Sequence, residues 1–349
     1  MKKVLFVANS DRHILLCHLP YLKMFHDNNY IVHVATNSNN SIPYCDKKIS
    51  LSLKRYPFSF FNFKAIKEIR ELVKKNNYDV ISCHTPMGGF LARVSIIKTN
   101  LTPLIFYTAH GFHFYKGSSL ISWILYYNIE KYLSKYTTCI LTMNQEDYLI
   151  SKKFFCKSYL IPGIGYNPDR LKNIDNLDYS NYFVVTYIAE ISKRKNQVNL
   201  VKKLNKIDLE KENILVLLIG DSLIKNFPKY IKNQNIKYIP FTDNIGSYLN
   251  RSNLVISASK QEGLPLNIIE GLSLNKMIIA TNIRGNKDLI TKRNGILVNN
   301  LDELITEMIK YKNNYKSIKI NNNTNKYKVD NVIIKVKNIY NKYLKEKLK

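Results

Sequence analysis

Short apolar runs rich in Val, Ile and aromatic residues recur along the chain, separated by longer stretches in which apolar positions return every three or four residues. The short runs predict buried strands and the longer ones amphipathic helices. Strands are expected at 3–9, 31–36, 79–84, 103–109, 138–143 and 158–162, with helices at 14–28, 63–77, 88–98 and 119–135. Pro, Gly, Asn and Asp then interrupt the rhythm over 162–181, which reads as a boundary. The alternation restarts with strands at 182–188, 213–220, 236–240, 253–259, 276–281 and 295–298, and helices at 194–206, 244–251, 265–274 and 301–313. Strands that are apolar throughout belong in sheets covered on both faces, and hence in parallel sheets. The expected fold class is α/β: two doubly wound, Rossmann-like domains, 1–165 and 166–325, facing a cleft, with 326–349 as a C-terminal helix that packs back on the body.

The apolar run after Lys2 and Lys3 is too short for a signal peptide and is followed by no small-residue cleavage site, so it reads as the first strand. No run reaches the roughly 18 uncharged apolar residues of a membrane span. Five scattered cysteines without a CxxC pair suit reduced thiols, and a cytoplasmic location is expected.

Charge changes the picture most. The chain holds 53 basic and 26 acidic residues, a net +27. Such an excess fits a phosphate-rich ligand, an anionic membrane face or nucleic acid, or is simply the habit of a Lys- and Asn-rich sequence. No RNP, helix-turn-helix or zinc-finger pattern supports nucleic acid, which is not expected as a partner. The first glycine is Gly88, so no GxGxxG fingerprint follows the first strand, and no Walker A loop occurs. No HExxH and no spaced His/Cys set suggests a metal, so neither metal nor cofactor is expected.

Four stretches carry candidate chemistry. In "YTAHGFHFYKG" (107–117), His110 ends a strand just before a glycine, where such domains keep ligand-contacting residues, and His113 follows. His13 and His18 flank the loop and helix after the first strand, another such position, whereas His33 alternates with Val32 and Val34 and reads as surface. "AEISKRKNQ" (189–197) sets Lys193, Arg194 and Lys195 at a helix start, an arrangement that suits an anion. "KQEGLPLNIIEGLSL" (260–274) places Pro265 in the first turn of a helix, with the N–H groups around Gly263 and Leu264 suited to a phosphate or a sugar hydroxyl. Glu262 reaches from that loop and Glu270 from the helix, toward one polyhydroxylated ligand, while Leu266, Ile268 and Ile269 hold the helix on its sheet. In "SSLISWILYYNIEKYLSKYT" (118–137), Trp123, Tyr126, Tyr127, Tyr132 and Tyr136 stand beside Lys131 and Lys135. This suits either a membrane face or a helix buried on the sheet.

Glu262 and Glu270 match an E-x7-E signature, and through it the chain resembles the retaining family 4 glycosyltransferases of the GT-B fold. "YTAHGFHFYKG" and "HILLCHLPYLKMF" are similar to the bacterial capsular and exopolysaccharide members, and the resemblance covers nearly the whole chain. It implies a metal-independent hexosyl- or N-acetylhexosaminyl-transferase. The donor would be a nucleotide sugar, UDP-linked, and the acceptor a lipid-linked saccharide at the anionic inner face of the cell membrane. It implies that Glu270 binds the ribose hydroxyls, and that Glu262 with the backbone of Gly263, Leu264 and Pro265 holds the transferred sugar and α-phosphate. Lys195, with Arg194, would face the diphosphate, His110 would stand near the donor sugar, and His13 and His113 would face the acceptor. His110, Lys195 and Glu262 are the catalytic candidates on this reading. Two departures stand out: Ala189-Glu190 occurs where many members have Gly-Arg, and "NSDRHI" lacks the glycines common after the first strand. A UDP-sugar 2-epimerase of the same architecture and a basic polyanion-binding protein with a degenerate site are the other readings.

Overall fold

The computed structural model describes residues 1–347 except 58, 173, 174, 176 and 316–319. The chain divides into two compact units, Met1–Gly165 with Val329–Lys349, and Tyr166–Lys328.

The first unit is built on seven parallel strands: β1 (Lys3–Val7), β2 (Ile31–Thr36), β3 (Lys47–Ser50), β4 (Val80–His84), β5 (Leu104–Ala109), β6 (Cys139–Thr142) and β7 (Lys157–Leu160), in the order β3-β2-β1-β4-β5-β6-β7. The order reverses between β1 and β4, so the loops at their carboxyl ends part there and leave room for a ligand. The expected helix over 14–28 is two helices, Asp11–Cys17 and Leu19–His26, because Pro20 stands in the first turn of the second. His33, expected on the surface, is buried: its Nδ1 meets the Tyr78 hydroxyl, since an inner strand has no solvent face.

The expected helix over 119–135 is not continuous. Leu120–Ser122 and Asn128–Leu133 are α-helical, Trp123–Tyr127 forms a π-helical turn and Ser134–Tyr136 ends in a 3₁₀ turn. Trp123, Tyr126 and Tyr127 pack on the core, whereas Leu120, Ile121 and Ile124 are exposed. This helix run is tied to the helix Pro86–Ile96 by a buried ion pair. Arg93 donates from Nη1 to Glu130 Oε2 at 2.8 Å and from Nη2 to Oε1 at 3.0 Å, and its guanidinium lies 4.0 Å from the centre of the Tyr107 ring. A two-pronged pair of this kind fixes both helices in one geometry.

The helix Val329–Glu346 belongs to this first unit. Val332, Val336, Ile339, Tyr340 and Leu344 recur at helical spacing and are buried. The Tyr340 ring stacks on Phe106 at 3.8 Å, and its hydroxyl meets Ser82 Oγ at 2.8 Å.

The second unit repeats the scheme with six parallel strands: β8 (Phe183–Ile188), β9 (Ile214–Ile219), β10 (Ile236–Ile239), β11 (Leu254–Ser257), β12 (Met277–Thr281) and β13 (Gly295–Val298), in the order β10-β9-β8-β11-β12-β13. Here the reversal falls between β8 and β11. The helix Leu266–Ser273 buries Ile268, Ile269 and Leu272 in a cluster with Val255 and Ile278. Among the described residues no helix is long and apolar enough to cross a membrane.

Candidate active site

Each sheet gathers its candidate side chains at the carboxyl ends of the strands beside its reversal point. In the first unit, Thr85 follows β4 with a positive φ of 64° and caps the helix Pro86–Ile96. Its Oγ1 accepts from Asn9 N at 3.2 Å and from Gly88 N at 3.3 Å, and Asn9 Oδ1 accepts from Gly88 N at 3.0 Å. A Cβ on Gly88 would stand 2.9 Å from Ala8 Cα, so only glycine lets the loop after β1 lie this close.

Four histidines meet above these loops. His18 Nε2 lies 3.2 Å from His13 Nε2 and 3.2 Å from His110 Nε2, and the His18 ring lies 3.8 Å from that of His84. His84 Nε2 meets Ser82 Oγ at 2.9 Å. Burial, and then the neighbouring imidazoles, push His18, His84 and His110 well below the usual histidine range. His13 is lowered to about 4, by burial first and then by Arg55. All four are therefore neutral near pH 7, and His110 offers a hydrogen bond rather than a charge. His113, by contrast, is exposed beside Tyr126, with ring centres 5.2 Å apart. Among the described residues, His13, His18 and His110 are the one set of ligating side chains close enough to share a metal ion. Their two 3.2 Å separations approach the edge of a tetrahedron around an ion with bonds of about 2.0–2.1 Å. Motif spacing gave no metal set; the fold brings His13, on the helix Asp11–Cys17, and His18, at its end, against His110 after β5.

In the second unit the loop after β8 faces the loop after β11. Glu262 is buried, and its Oε1 pairs with Lys195 Nζ while Oε2 lies 3.3 Å from Arg194 Nη1. Burial pushes the Glu262 carboxyl upward, but Lys195 and Arg194 outweigh it and hold the group below the usual range. The two candidate cations thus neutralise the candidate carboxylate. Lys193, the third cation of the run, is exposed. Pro265 is the N-cap rather than a residue of the first turn, and the helix starts at Leu266. Arg284, which motif reading does not single out, is buried and donates from Nε to the Glu262 carbonyl at 3.1 Å. The sequence signal for it is a cation-glycine pair just past a strand's carboxyl end. Gly285 has a positive φ of 82°, and a Cβ there would stand 2.4 Å from the Gly263 carbonyl oxygen. The Glu262–Pro265 loop is therefore held down by the loop after β12.

Glu270 is buried on the helix Leu266–Ser273, and among the described residues no donor holds its carboxylate. Burial raises it to about 7 against the pull of Arg170. Three residues before it, on the same helix face, buried Asn267 Nδ2 finds no acceptor. A buried acceptor and a buried donor on one helix face, neither with a hydrogen-bond partner among the described residues, are suited to vicinal hydroxyls.

Residues 170–341 match the family described as "Glycosyl transferases group 1", and residues 3–144 the family described as "Glycosyl transferase 4-like". A Bacillus subtilis (strain 168) protein named as a glycosyltransferase, EpsD, is 31% identical over 317 residues, covering 85% of this chain and 83% of that one. An Escherichia coli protein named UDP-Gal:alpha-D-GlcNAc-diphosphoundecaprenol alpha-1,3-galactosyltransferase is 24% identical over 273 residues, 71% of this chain and 70% of that one. Among solved structures, Anabaena Alr3699/HepE in complex with UDP and glucose superposes with a TM-score of 0.78 at 15% identity, covering 98% of this chain and 100% of that one.

Proposed function

The chain belongs to the family 4-type glycosyltransferases of the GT-B fold, and from that premise we propose a donor, an acceptor and a stereochemical course. It transfers a hexose or N-acetylhexosamine, with retention, from a UDP-linked sugar to a lipid-linked saccharide in the synthesis of a capsule, exopolysaccharide or O-antigen. The observation that carries the donor half is Glu270: a buried carboxylate without a described partner, beside an unpaired Asn267 amide, is matched by the ribose hydroxyls of a nucleotide. The solved structure with UDP bound on the same fold supports the choice of nucleotide, and the E. coli relative's name supports a diphosphate-lipid acceptor.

In this reading Lys195 and Arg194 exchange Glu262 for the diphosphate. As the bond from the anomeric carbon to the phosphate oxygen breaks, charge grows on the leaving group, and cations fixed beside it stabilise the transition state more than the ground state. The freed Glu262 carboxylate and the Gly263–Pro265 backbone then face the transferred sugar. His110, neutral, hydrogen-bonds that sugar. The acceptor hydroxyl attacks on the face the diphosphate leaves, its oxygen bonds to the anomeric carbon, and its proton passes to the departing phosphate oxygen. This course needs no carboxylate nucleophile.

The first unit docks on the inner leaflet. Phe60, Phe61 and Phe63, and Leu120, Ile121 and Ile124, are exposed apolar side chains, and Lys64 and Lys67 are exposed on the same helix as Phe61 and Phe63. On the 118–137 segment Trp123, Tyr126 and Tyr127 pack on the core, so the insertion is carried by exposed Leu120, Ile121 and Ile124, with Tyr132 the exposed aromatic.

Calorimetric titration with UDP and a panel of UDP-sugars, for the wild type and Glu270→Ala, tests the donor half. A loss of roughly tenfold or more in affinity with the fold intact is expected, from one or more hydrogen bonds to a charged group at about 1.5–3 kcal/mol each. An unchanged dissociation constant overturns the assignment. Conversion of a UDP-sugar to its 2-epimer without acceptor would replace transfer with epimerisation.

A further inference from the structure

We propose that an apolar groove in the first unit seats the isoprenoid tail of the acceptor, with the acceptor's diphosphate at Arg55. This rests on the lipid-linked acceptor proposed above and names where its lipid goes. The groove encloses about 530 Å³, within the usual range for small-molecule sites. Its walls are the helix Phe61–Asn76, the helix Pro86–Ile96 and the helix run from Leu120 to Leu133.

Phe63, Ile66, Phe90, Val94, Leu125 and Ile129 give it an apolar interior. Glu130 also lines it, but both of its carboxylate oxygens are taken by Arg93, so no free charge faces the tail. The π-helical turn Trp123–Tyr127 contributes Leu125 and Tyr126 to the wall. Inserted π turns often mark functional positions in helices.

Its polar lining is Asn9, Arg55, Asn62, Tyr107, His113, Tyr126 and the paired Glu130, and Arg55 is the one Lys or Arg side chain among them. Among the described residues Arg55 has no carboxylate partner, so its charge is available to an anion. A largely apolar groove with one uncompensated cation in its lining fits one kind of molecule: a long hydrocarbon with an anionic head. Phe63, 65% exposed, and Leu125, 39% exposed, leave the mouth open beside the face proposed to meet the membrane. The tail can thus pass from the bilayer into the groove without crossing water.

The sole tryptophan supplies the readout. Trp123 lies 5.5 Å, centre to centre, from the ring of Phe114, a lining residue. Geranylgeranyl diphosphate carrying an anthranilate at its tail end should accept energy from Trp123 saturably in the full-length protein. Inorganic diphosphate should compete weakly and unlabelled geranylgeranyl diphosphate fully. Val94→Glu should weaken the probe at least tenfold, and Arg55→Ala should weaken it while leaving a labelled geranylgeraniol unaffected. UDP affinity and the thermal midpoint should stay unchanged in both. If Val94→Glu fails to fold, Leu125→Glu on the exposed rim takes its place. Wild-type affinity for the probe in a folded Glu variant overturns the groove, and equal displacement by palmitate overturns the isoprenoid. Loss of UDP binding in the wild type with the probe still bound would instead remove the transferase reading and leave the groove.

Discussion

Lys195 and Glu262 stand 67 residues apart in the chain and form a largely buried ion pair between the loops after β8 and β11. A cation proposed to meet a diphosphate is thus already charge-balanced in the unliganded molecule. Lys195→Ala should lower kcat more than it raises the donor dissociation constant, and should also destabilise the fold. Removing one partner of a buried pair costs about 3–5 kcal/mol because the other charge is left uncompensated. Adding Glu262→Gln to Lys195→Ala should recover the denaturation midpoint but not the turnover. Recovery of turnover in the double variant would show that the lysine serves structure alone.

Glu270 links the second unit's stability to pH. Its carboxyl titrates near 7 in the folded chain, against an ordinary value of 4.5. Between those values the folded state keeps a proton that the unfolded state has lost, so stability falls as pH rises through this window. The sum is about 3 kcal/mol. Urea midpoints of wild type and Glu270→Gln measured from pH 4.5 to 7.5 should converge at the acid end and diverge above it, with the variant more stable. The same residue predicts that UDP binding at pH 6.5 releases a proton, because ribose hydroxyls donate to the ionised carboxylate. Calorimetry in buffers of different ionisation enthalpy reads this directly. Proton uptake, or no linkage, would contradict the diol contact.

The three clustered Nε2 atoms of His13, His18 and His110 make zinc an inhibitor on the present reading. An ion there would take the nitrogen with which His110 is to meet the sugar, while the leaving group is stabilised by Lys195 and its neighbours. EDTA should leave turnover unchanged and micromolar Zn²⁺ should suppress it reversibly. His13→Asn should shift the inhibition to higher zinc. Loss of activity in EDTA, restored by zinc, would make the cluster a cofactor site.

The Arg93–Glu130 pair sets the spacing of two groove walls. Glu130→Gln should destabilise the first unit by about 3–5 kcal/mol, since it strands a guanidinium that is fully buried. Arg93→Met with Glu130→Met should recover most of it. A single variant with an unchanged denaturation midpoint would show that water compensates the arginine.

Strand positions were legible because parallel strands covered on both faces are apolar throughout, as in "NILVLLIG" around β9. β3 was not: Lys47–Ser50 is an edge strand carrying two lysines, and its polarity hides it. Glu262, Glu270, Lys195 and His110 were visible because each follows a strand in a recognisable local pattern. The pairing of Lys195 with Glu262 was not, since local patterns do not report which loop faces which. His84 and Arg284 were missed for the same reason, each being defined by what the topology brings beside it. The π turn also escaped the sequence reading, as apolar spacing at 119–135 fits an unbroken helix equally well.

Tyr340 has a consequence for how the molecule is made. It stacks on Phe106 and bonds Ser82, yet it is translated after all of Tyr166–Lys328. The unit that leaves the ribosome first therefore waits, with part of its sheet uncovered, while the second is synthesised and folds. Order of synthesis and order of completion are inverted, and the nascent first unit is the stage at which a chaperone would be needed.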